Sequence, residues 1–552
     1  MTSVWNADLP HDPSAPLEDG ARYDHVVVGA GLTGLATALL LARAGESVCV
    51  VEARTPGAVT TGNTTAKVSL LQGTKLSQVL SRRGPAVARD YVEANREGQQ
   101  WLLRFCEDHG VDAQIRPAVT YASSPQQVST VRREHEAASS LGLDVRWHDR
   151  LDVPFELFGA TLLPGQGQVE AGQLVTALAR GLEAHGGTIV HGTRVTKVRV
   201  HGDEVRAQVT DGRTVVGRHL VVATGTPFLD RGLHFARLDP KRSYALTFSG
   251  VPAPEGMYLS AGQPSRSIRD VPRADGTLLM VGGSGHDVGR DPSPAKHLDE
   301  LRAWTQRNFP GAVETHAWSA QDYSPADHIP YVGELPGSGG RIFVATGYDK
   351  WGMSQGVAAA RAISSWILGN DPEWARPMRA SMPTLSGAAK SALTNAKVGL
   401  ELAKGYVRAE LAPLPARAPA EGEGVVGRRG VKPVAVSTVD GRTCAVSGVC
   451  THLGGVLRWN DAEKSWDCPL HGSRFAADGS VLEARRRVRC PAPRHRGPDH
   501  VRPPARRRAA SRPARRVDMW NLRSPSSAGP GSSPPSRAGT TRPTPRRASS
   551  TT

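Results

Sequence analysis

The 552-residue chain contains no uninterrupted apolar run of the ~18 residues that a membrane-crossing helix needs. Its first twenty residues, MTSVWNADLPHDPSAPLEDG, have no apolar core, which argues against a secretory leader and makes the cytoplasm the expected compartment. Cysteine is scarce: the six present (Cys49, Cys106, Cys444, Cys450, Cys468 and Cys490) are too few for a disulfide framework in a chain this long. Acid is nearly absent from the C-terminal stretch. From Ala484 onward there are 18 Arg and no Lys against Asp499 and Asp518, a balance of +16, equal to that of the whole chain. The remainder is neutral, so composition gives the body no case for a nucleic-acid partner.

What is present begins at Asp24, with DHVVVGAGLTGLATALLLARAGESVCVVEA. Val26-Val27-Val28 reads as a buried strand, and Gly29, Gly31 and Gly34 supply G-x-G-x-x-G with Ala30 between the first two. Gly29 allows the turn, Gly31 lets the backbone approach a pyrophosphate, and Gly34 lets the next helix pack closely on the sheet. The periodicity predicts a helix over Leu35–Ala44 and a strand over Ser47–Val51 that ends at Glu52. An acid there can accept both hydroxyls of an adenosine ribose and repels a 2′-phosphate. The order of these parts points to a dinucleotide.

Further along, Arg54 to Ser69 is a Gly/Thr-rich loop beyond that site, and Pro85 to Gly110 has the spacing of an amphipathic helix. Gln173 to His185 is expected as a helix, Thr188 to Val200 as one strand, and Leu220 to Gly225 as a buried strand ending in small residues. Tyr244 to Val281 alternates as short strands of a mostly antiparallel sheet, a suitable cavity wall. The strand Arg341–Ala345, the loop TGYDKWGMS (346–354) and a helix from Gln355 repeat the strand, glycine loop, helix pattern. Helix is expected over most of 370–412, then a Pro/Ala linker at 413–423.

These residues resemble the FAD-dependent oxidoreductases of the D-amino-acid oxidase and glycine oxidase superfamily. The resemblance spans about residues 20–375 through VVVGAGLTG with Glu52, TTGNTTAK, LVVATG and TGYDKWGMS. It implies FAD and a Rossmann-like α/β domain of glutathione-reductase type (about 21–85, 165–235 and 330–370). Interleaved with it would be an antiparallel α+β substrate domain (86–164 and 236–329). The implied cofactor contacts are Gly29, Ala30, Gly31, Gly34 and Glu52; Thr64, Thr65, Ala66 and Lys67; Val195, near the adenine; Thr224 and Gly225; and Gly347, Trp351, Gly352 and Met353. It also implies hydride removal from a carbon beside nitrogen or oxygen, the flavin supplying the redox chemistry. Candidate catalytic residues are Lys350, whose cation would offset negative charge on a reduced flavin, Tyr323 and His328, with Tyr244, His286 and Tyr331 as further polar groups able to face the pocket.

The second constellation is Cys450-Thr-His452, then Cys468-Pro-Leu-His471-Gly472. Two Cys and two His can hold zinc, but zinc fingers pair like with like rather than using two mixed pairs. Mixed pairs resemble the Rieske centre, in which two thiolates hold one iron of a two-iron two-sulfur cluster and two imidazoles the other. Neutral ligands raise its potential to about −150 to +300 mV. The resemblance covers roughly 424–483, a small all-β domain, and matches flavin oxidoreductases that end in a Rieske domain. Many Rieske domains carry a further cysteine in each loop; those places here are Gly455 and Leu470. After GSRFAADGSVLE the expected closing strands give way to Arg/Pro/Ser/Ala text at 484–552. That text reads either as a frameshift near Glu483, leaving the domain truncated, or as a disordered basic tail.

The resulting expectation is a flavoenzyme with an N-terminal extension (1–20), an oxidoreductase domain (21–375), a helical connector (376–412), a linker and a Rieske domain. It would take two electrons from a small organic reductant, an amine or amino acid, and pass them singly to the cluster and on to a protein acceptor. An NAD(P)H-dependent reductase is the rival enzyme, but Val281-Gly-Gly-Ser-Gly-His286 lacks a second nucleotide-binding helix start. A redox sensor or nucleic-acid binder using the tail is the non-catalytic alternative.

Overall fold

The computed structural model describes residues 1–7, 13–229, 231–379, 385–415, 417–430 and 432–483, all within one compact unit, Met1–His495. The basic tail from Ala484 lies outside the described residues.

The apolar run at Val26 forms the centre of a parallel sheet because both its faces are covered. Strand Ala21–Val28 lies between Val48–Val51 and Thr214–Val222, with Thr188–Val190 beyond the first and Ile342–Thr346 beyond the second. Tyr331–Glu334 closes that edge in antiparallel fashion. Register His25↔Val48 through Val28↔Val51 brings the turn at Gly29 beside the strand end at Glu52. The first helix is Leu32–Arg43, beginning three residues before the expected Leu35. Its start is secured by the Thr61 hydroxyl, which accepts from the Leu32 N–H at 3.1 Å. A contact with a distant loop thus sets a boundary that local periodicity does not reveal.

The single strand expected over 188–200 is two strands, Thr188–Val190 and Val195–His201. Gly192 (φ 69°) turns the chain between them, and the Gly192 and Thr193 N–H groups donate to the Arg54 and Glu52 carbonyls at 2.7 and 2.9 Å. The second glycine-loop helix runs Gly352–Ile367, again three residues earlier than expected. The amphipathic helix extends back to Lys75, with a break at Gly84 before Pro85.

The second sheet has nine strands. Val313–Pro325, Leu238–Ser249, Gly276–Asp287, Arg266–Arg273 and Met257–Ser260 are antiparallel neighbours. Met257–Ser260 then pairs in parallel with Ala113–Tyr121, so the sheet is mostly, not wholly, antiparallel. Val281 to His286 lies inside the strand Gly276–Asp287 and opens no helix, as its spacing implied.

After the helix Leu385–Leu411, two small antiparallel sheets follow. One holds Gly424–Arg429, Lys432–Val439 and Arg442–Ser447, the other Arg458–Asn460, Ser465–Asp467, Arg474–Ala476 and Val481–Glu483. Trp466 and Phe475 fill their core together with Cys450 and Cys468.

Candidate functional site

A cavity of about 660 Å³ opens where the two large sheets meet. Its lining includes Gly29, Gly31, Glu52, Thr64, Thr65 and Lys67, together with Val195, Thr224 and Gly225 and with Trp351, Gly352 and Met353. Four expected cofactor residues, Ala30, Gly34, Ala66 and Gly347, stand behind the lining. The Ala30 N–H donates to the Glu52 carboxylate at 2.8 Å, and the Arg54 N–H donates to its other oxygen at 2.8 Å. This aims the acid from the sheet edge. A Cβ on Gly34 would lie 1.9 Å from the Gly29 carbonyl oxygen, so the helix packs this closely only because residue 34 has no side chain.

The loop at 64–67 is held by two buried basic side chains. Lys67 donates to the Tyr258 carbonyl at 2.8 Å, and burial pushes its amine well below the usual range. Arg269 donates to the Thr65 carbonyl at 2.9 Å, and burial lowers it to about 9. These two contacts brace the backbone edge as a wall of the cavity. A helix N-terminus, a hydrogen-bonded acid and this wall fit an adenosine pyrophosphate at one end of the cavity.

Lys350 and Tyr323 also line the cavity, but His328 does not. His328 has φ 64° and its N–H donates to the Pro325 carbonyl, in a turn outside the cavity lining. Of the further polar groups, Tyr244 lines the cavity. His286 and Tyr331 do not: His286 contacts the Tyr244 hydroxyl at 3.1 Å and stacks on His297, and the Tyr331 hydroxyl donates to Asp327 at 2.7 Å. Lys350 and Asp349 both have positive φ, 73° and 48°, a conformation costly for residues with side chains. It is held by Lys75, whose ammonium lies 2.6 Å from Asp349. Burial lowers Lys350, while the carboxylates of Asp349 and Asp322 favour its charged form.

Sequence reading missed Asp322, Lys241 and Ser243, which also line the cavity. Burial raises Asp322 to about 6, and its carboxylate accepts the Lys350 N–H. Their signal was only strand alternation, which does not distinguish a cavity-facing polar residue from a solvent-facing one.

The two Cys/His loops have matching geometry. The Gly454 N–H donates to the Cys450 carbonyl at 3.0 Å and the Gly472 N–H to that of Cys468 at 3.1 Å, with φ 74° and 72° at the two glycines. Both thiols are free and buried, and the His452 and His471 rings lie 5.0 Å apart at 69°. The hydrogen bond between the two thiols pulls Cys450 down and pushes Cys468 up. Two buried thiols beside two imidazoles, His471 buried and His452 half-buried, suit a cluster with unlike ends. The Leu470 side chain fills the place beside residue 455, where a Cβ would lie 2.7 Å from its Cγ.

This domain also touches the cavity, for Leu482 and Glu483 are among its lining residues. Beneath them is a buried ion network across the domain boundary: Arg242 pairs with Glu463, and Arg474 with Glu463 at 2.6 Å, Asp467 at 3.1 Å and Glu483 at 2.8 Å.

Comparison with known proteins agrees with this geometry. The family model for FAD dependent oxidoreductases matches residues 24–366, and that for the Rieske [2Fe-2S] domain matches 415–494. YhfW of Bacillus subtilis, named as a Rieske 2Fe-2S iron-sulfur protein, is 30% identical over 485 residues, covering 87% of this chain and 94% of that protein. A D-amino acid dehydrogenase of Cereibacter sphaeroides is 24% identical, covering 63% of this chain and 92% of that one. Among solved structures, glycine oxidase from Geobacillus kaustophilus superposes with a TM-score of 0.54 at 20% identity, over 66% of this chain and 100% of that one, a likeness of fold.

Proposed function

Because the chain belongs to the family of FAD-dependent oxidoreductases and carries a Rieske [2Fe-2S] domain, we propose that it oxidises a small amine or amino acid and passes the electrons singly to its own cluster and then to a protein acceptor. When bound, FAD accepts a hydride and the cluster accepts one electron at a time, so a two-electron donor needs two successive transfers. The observation that carries this reading is one cavity lined by the glycine motif, by polar residues of the antiparallel sheet and by Leu482 and Glu483 of the cluster domain.

Gly29, Gly31, Glu52 and the 64–67 loop are the residues we assign to the adenosine pyrophosphate, and Cys450, His452, Cys468 and His471 those we assign to the iron. Tyr323, Lys350 and Asp322 are assigned to the donor's end. An ionised Asp322 beside the cavity would attract an ammonium, which suits an amine better than a neutral alcohol. The names of the relatives, glycine oxidase and D-amino acid dehydrogenase, favour the same class. We place the domain boundary at the 413–423 linker. The compartment we assign is the cytoplasm, supported by the three thiols outside the cluster site, Cys49, Cys106 and Cys444, none of them in a disulfide. No described helix is long and apolar enough to cross a membrane.

The test is anaerobic addition of glycine or a D-amino acid to the full chain loaded with FAD and iron. Flavin absorbance should bleach first, and the rhombic EPR signal of a reduced Rieske cluster should follow. Flavin that bleaches over a cluster that stays oxidised refutes the internal relay.

A further inference from the structure

One side chain connects the cavity wall to the histidine-bearing end of the cluster domain. Gln321 is 1% exposed, and its Nε2 donates to the Tyr323 hydroxyl at 2.8 Å and to the Gly472 carbonyl at 2.9 Å. Tyr323 lines the cavity, and Gly472 directly follows His471. The Gln321 main-chain carbonyl accepts from the Thr60 hydroxyl, another lining group, at 2.8 Å. The amide can face Gly472 in only one sense, because a carbonyl accepts and does not donate.

The surrounding packing keeps this contact close. A Cβ on Gly472 would lie 2.6 Å from Pro240 Cβ and 2.8 Å from Gln321 Nε2. On the other flank, a Cβ on Gly289 would lie 2.8 Å from the Pro469 nitrogen, and Arg290 donates to the Pro469 carbonyl at 2.9 Å. Phe235 stands perpendicular to both imidazoles, with centroids at 5.7 and 5.3 Å. The second loop is therefore gripped by the oxidoreductase domain on several sides, and its imidazole end meets that domain.

We propose that Gln321 is a positioning residue for electron transfer within the chain. It locks the Cys468–Gly472 loop to Tyr323 at the cavity wall and supplies a bonded route from that wall to His471 through one side chain. This rests on the relay proposed above. Each crossing moves one electron and turns one ferric ion ferrous, while the protons lost by the donor leave to solvent.

The test uses the full chain loaded with FAD and cluster, with electrons delivered by anaerobic flash photoreduction so that no donor need be known. Gln321→Met keeps the bulk and removes both donors; Tyr323→Phe removes only the hydroxyl. In Gln321→Met, cluster reduction following flavin reduction should slow several-fold. Flavin absorbance, iron content and cluster g-values should stay as in the parent, and amide exchange at 467–474 in the oxidised protein should rise. Tyr323→Phe should slow the transfer in the same sense but less, and it decides the matter if Gln321→Met loads no cluster. Transfer at the parent rate in loaded Gln321→Met, with only the melting temperature lowered, overturns the role and leaves Gln321 structural. A parent cluster that never accepts electrons from reduced flavin overturns the relay itself, and this role with it.

Discussion

At the residue scale, single atoms decide the cofactor site. Gly34→Ala places a Cβ 1.9 Å from the Gly29 carbonyl oxygen, and neither backbone can retreat without opening the strand–helix turn. The variant should purify with little or no flavin, read as the ratio of visible to protein absorbance. Asp322 lines the same cavity. Burial raises its carboxyl to about 6, so it is neutral below that pH and charged above it. If it receives the donor's ammonium, flavin reduction should gain rate as pH rises through about 6. Asp322→Asn should remove that limb and weaken donor binding, both measurable by stopped-flow reduction across pH. A limb of unchanged position in Asp322→Asn would assign it to another group.

At the scale of elements, the N-terminal stretch matters more than its composition suggests. Val4 and Trp5 are almost fully buried, the Trp5 indole N–H donates to the Thr64 carbonyl at 2.6 Å, and Arg269 lies 5.5 Å from the ring centroid. These contacts brace the loop that forms the cofactor wall. Trp5→Ala should cost about 3–5 kcal/mol, typical of a buried Trp cut to Ala. It should also weaken FAD binding, seen by thermal melting with and without added FAD; unchanged affinity would make the bracing purely structural. Nothing in MTSVWNADLP announces such an element, because one short apolar pair among polar residues has no period. The strand Val26–Val28 and the helix after it were legible because their apolar patterns are continuous. The two helix starts were not, since Thr61 and the 346–351 loop set them from outside the helices.

At the scale of the molecule, the two domains are joined by charge that water cannot reach. Burial pushes Glu463 up, but Arg242 and Arg474 outweigh it and hold the carboxyl at about 2. A carboxyl depressed in the folded state contributes stability that is complete above its unfolded value and is lost as pH falls toward the folded one. Glu463→Gln should therefore destabilise the chain at neutral pH by about 3–5 kcal/mol, as for a buried pair broken on one side. The gap between parent and variant should narrow as pH drops from about 4 toward 2, by calorimetry or denaturant melts. A gap that does not change with pH would show that the charge on Glu463 is not what joins the domains.

The sequence by itself determined the chemistry: a dinucleotide motif with its terminal acid, and two Cys/His pairs with their glycines. Each is a local device whose function lies in the spacing of residues along one stretch of chain. The Leu470–Gly455 contact, too, joins places that a family pattern could mark. Only the tertiary structure decided how the two centres face one another. Gln321 and Gly472 are 151 residues apart, Arg242 and Glu463 are 221 apart, and no periodicity spans such distances. It likewise decided that Asp322 and Lys241 point into the cavity while His328 does not. A strand's alternation names two faces, and what covers each face is settled by the packing of the whole chain.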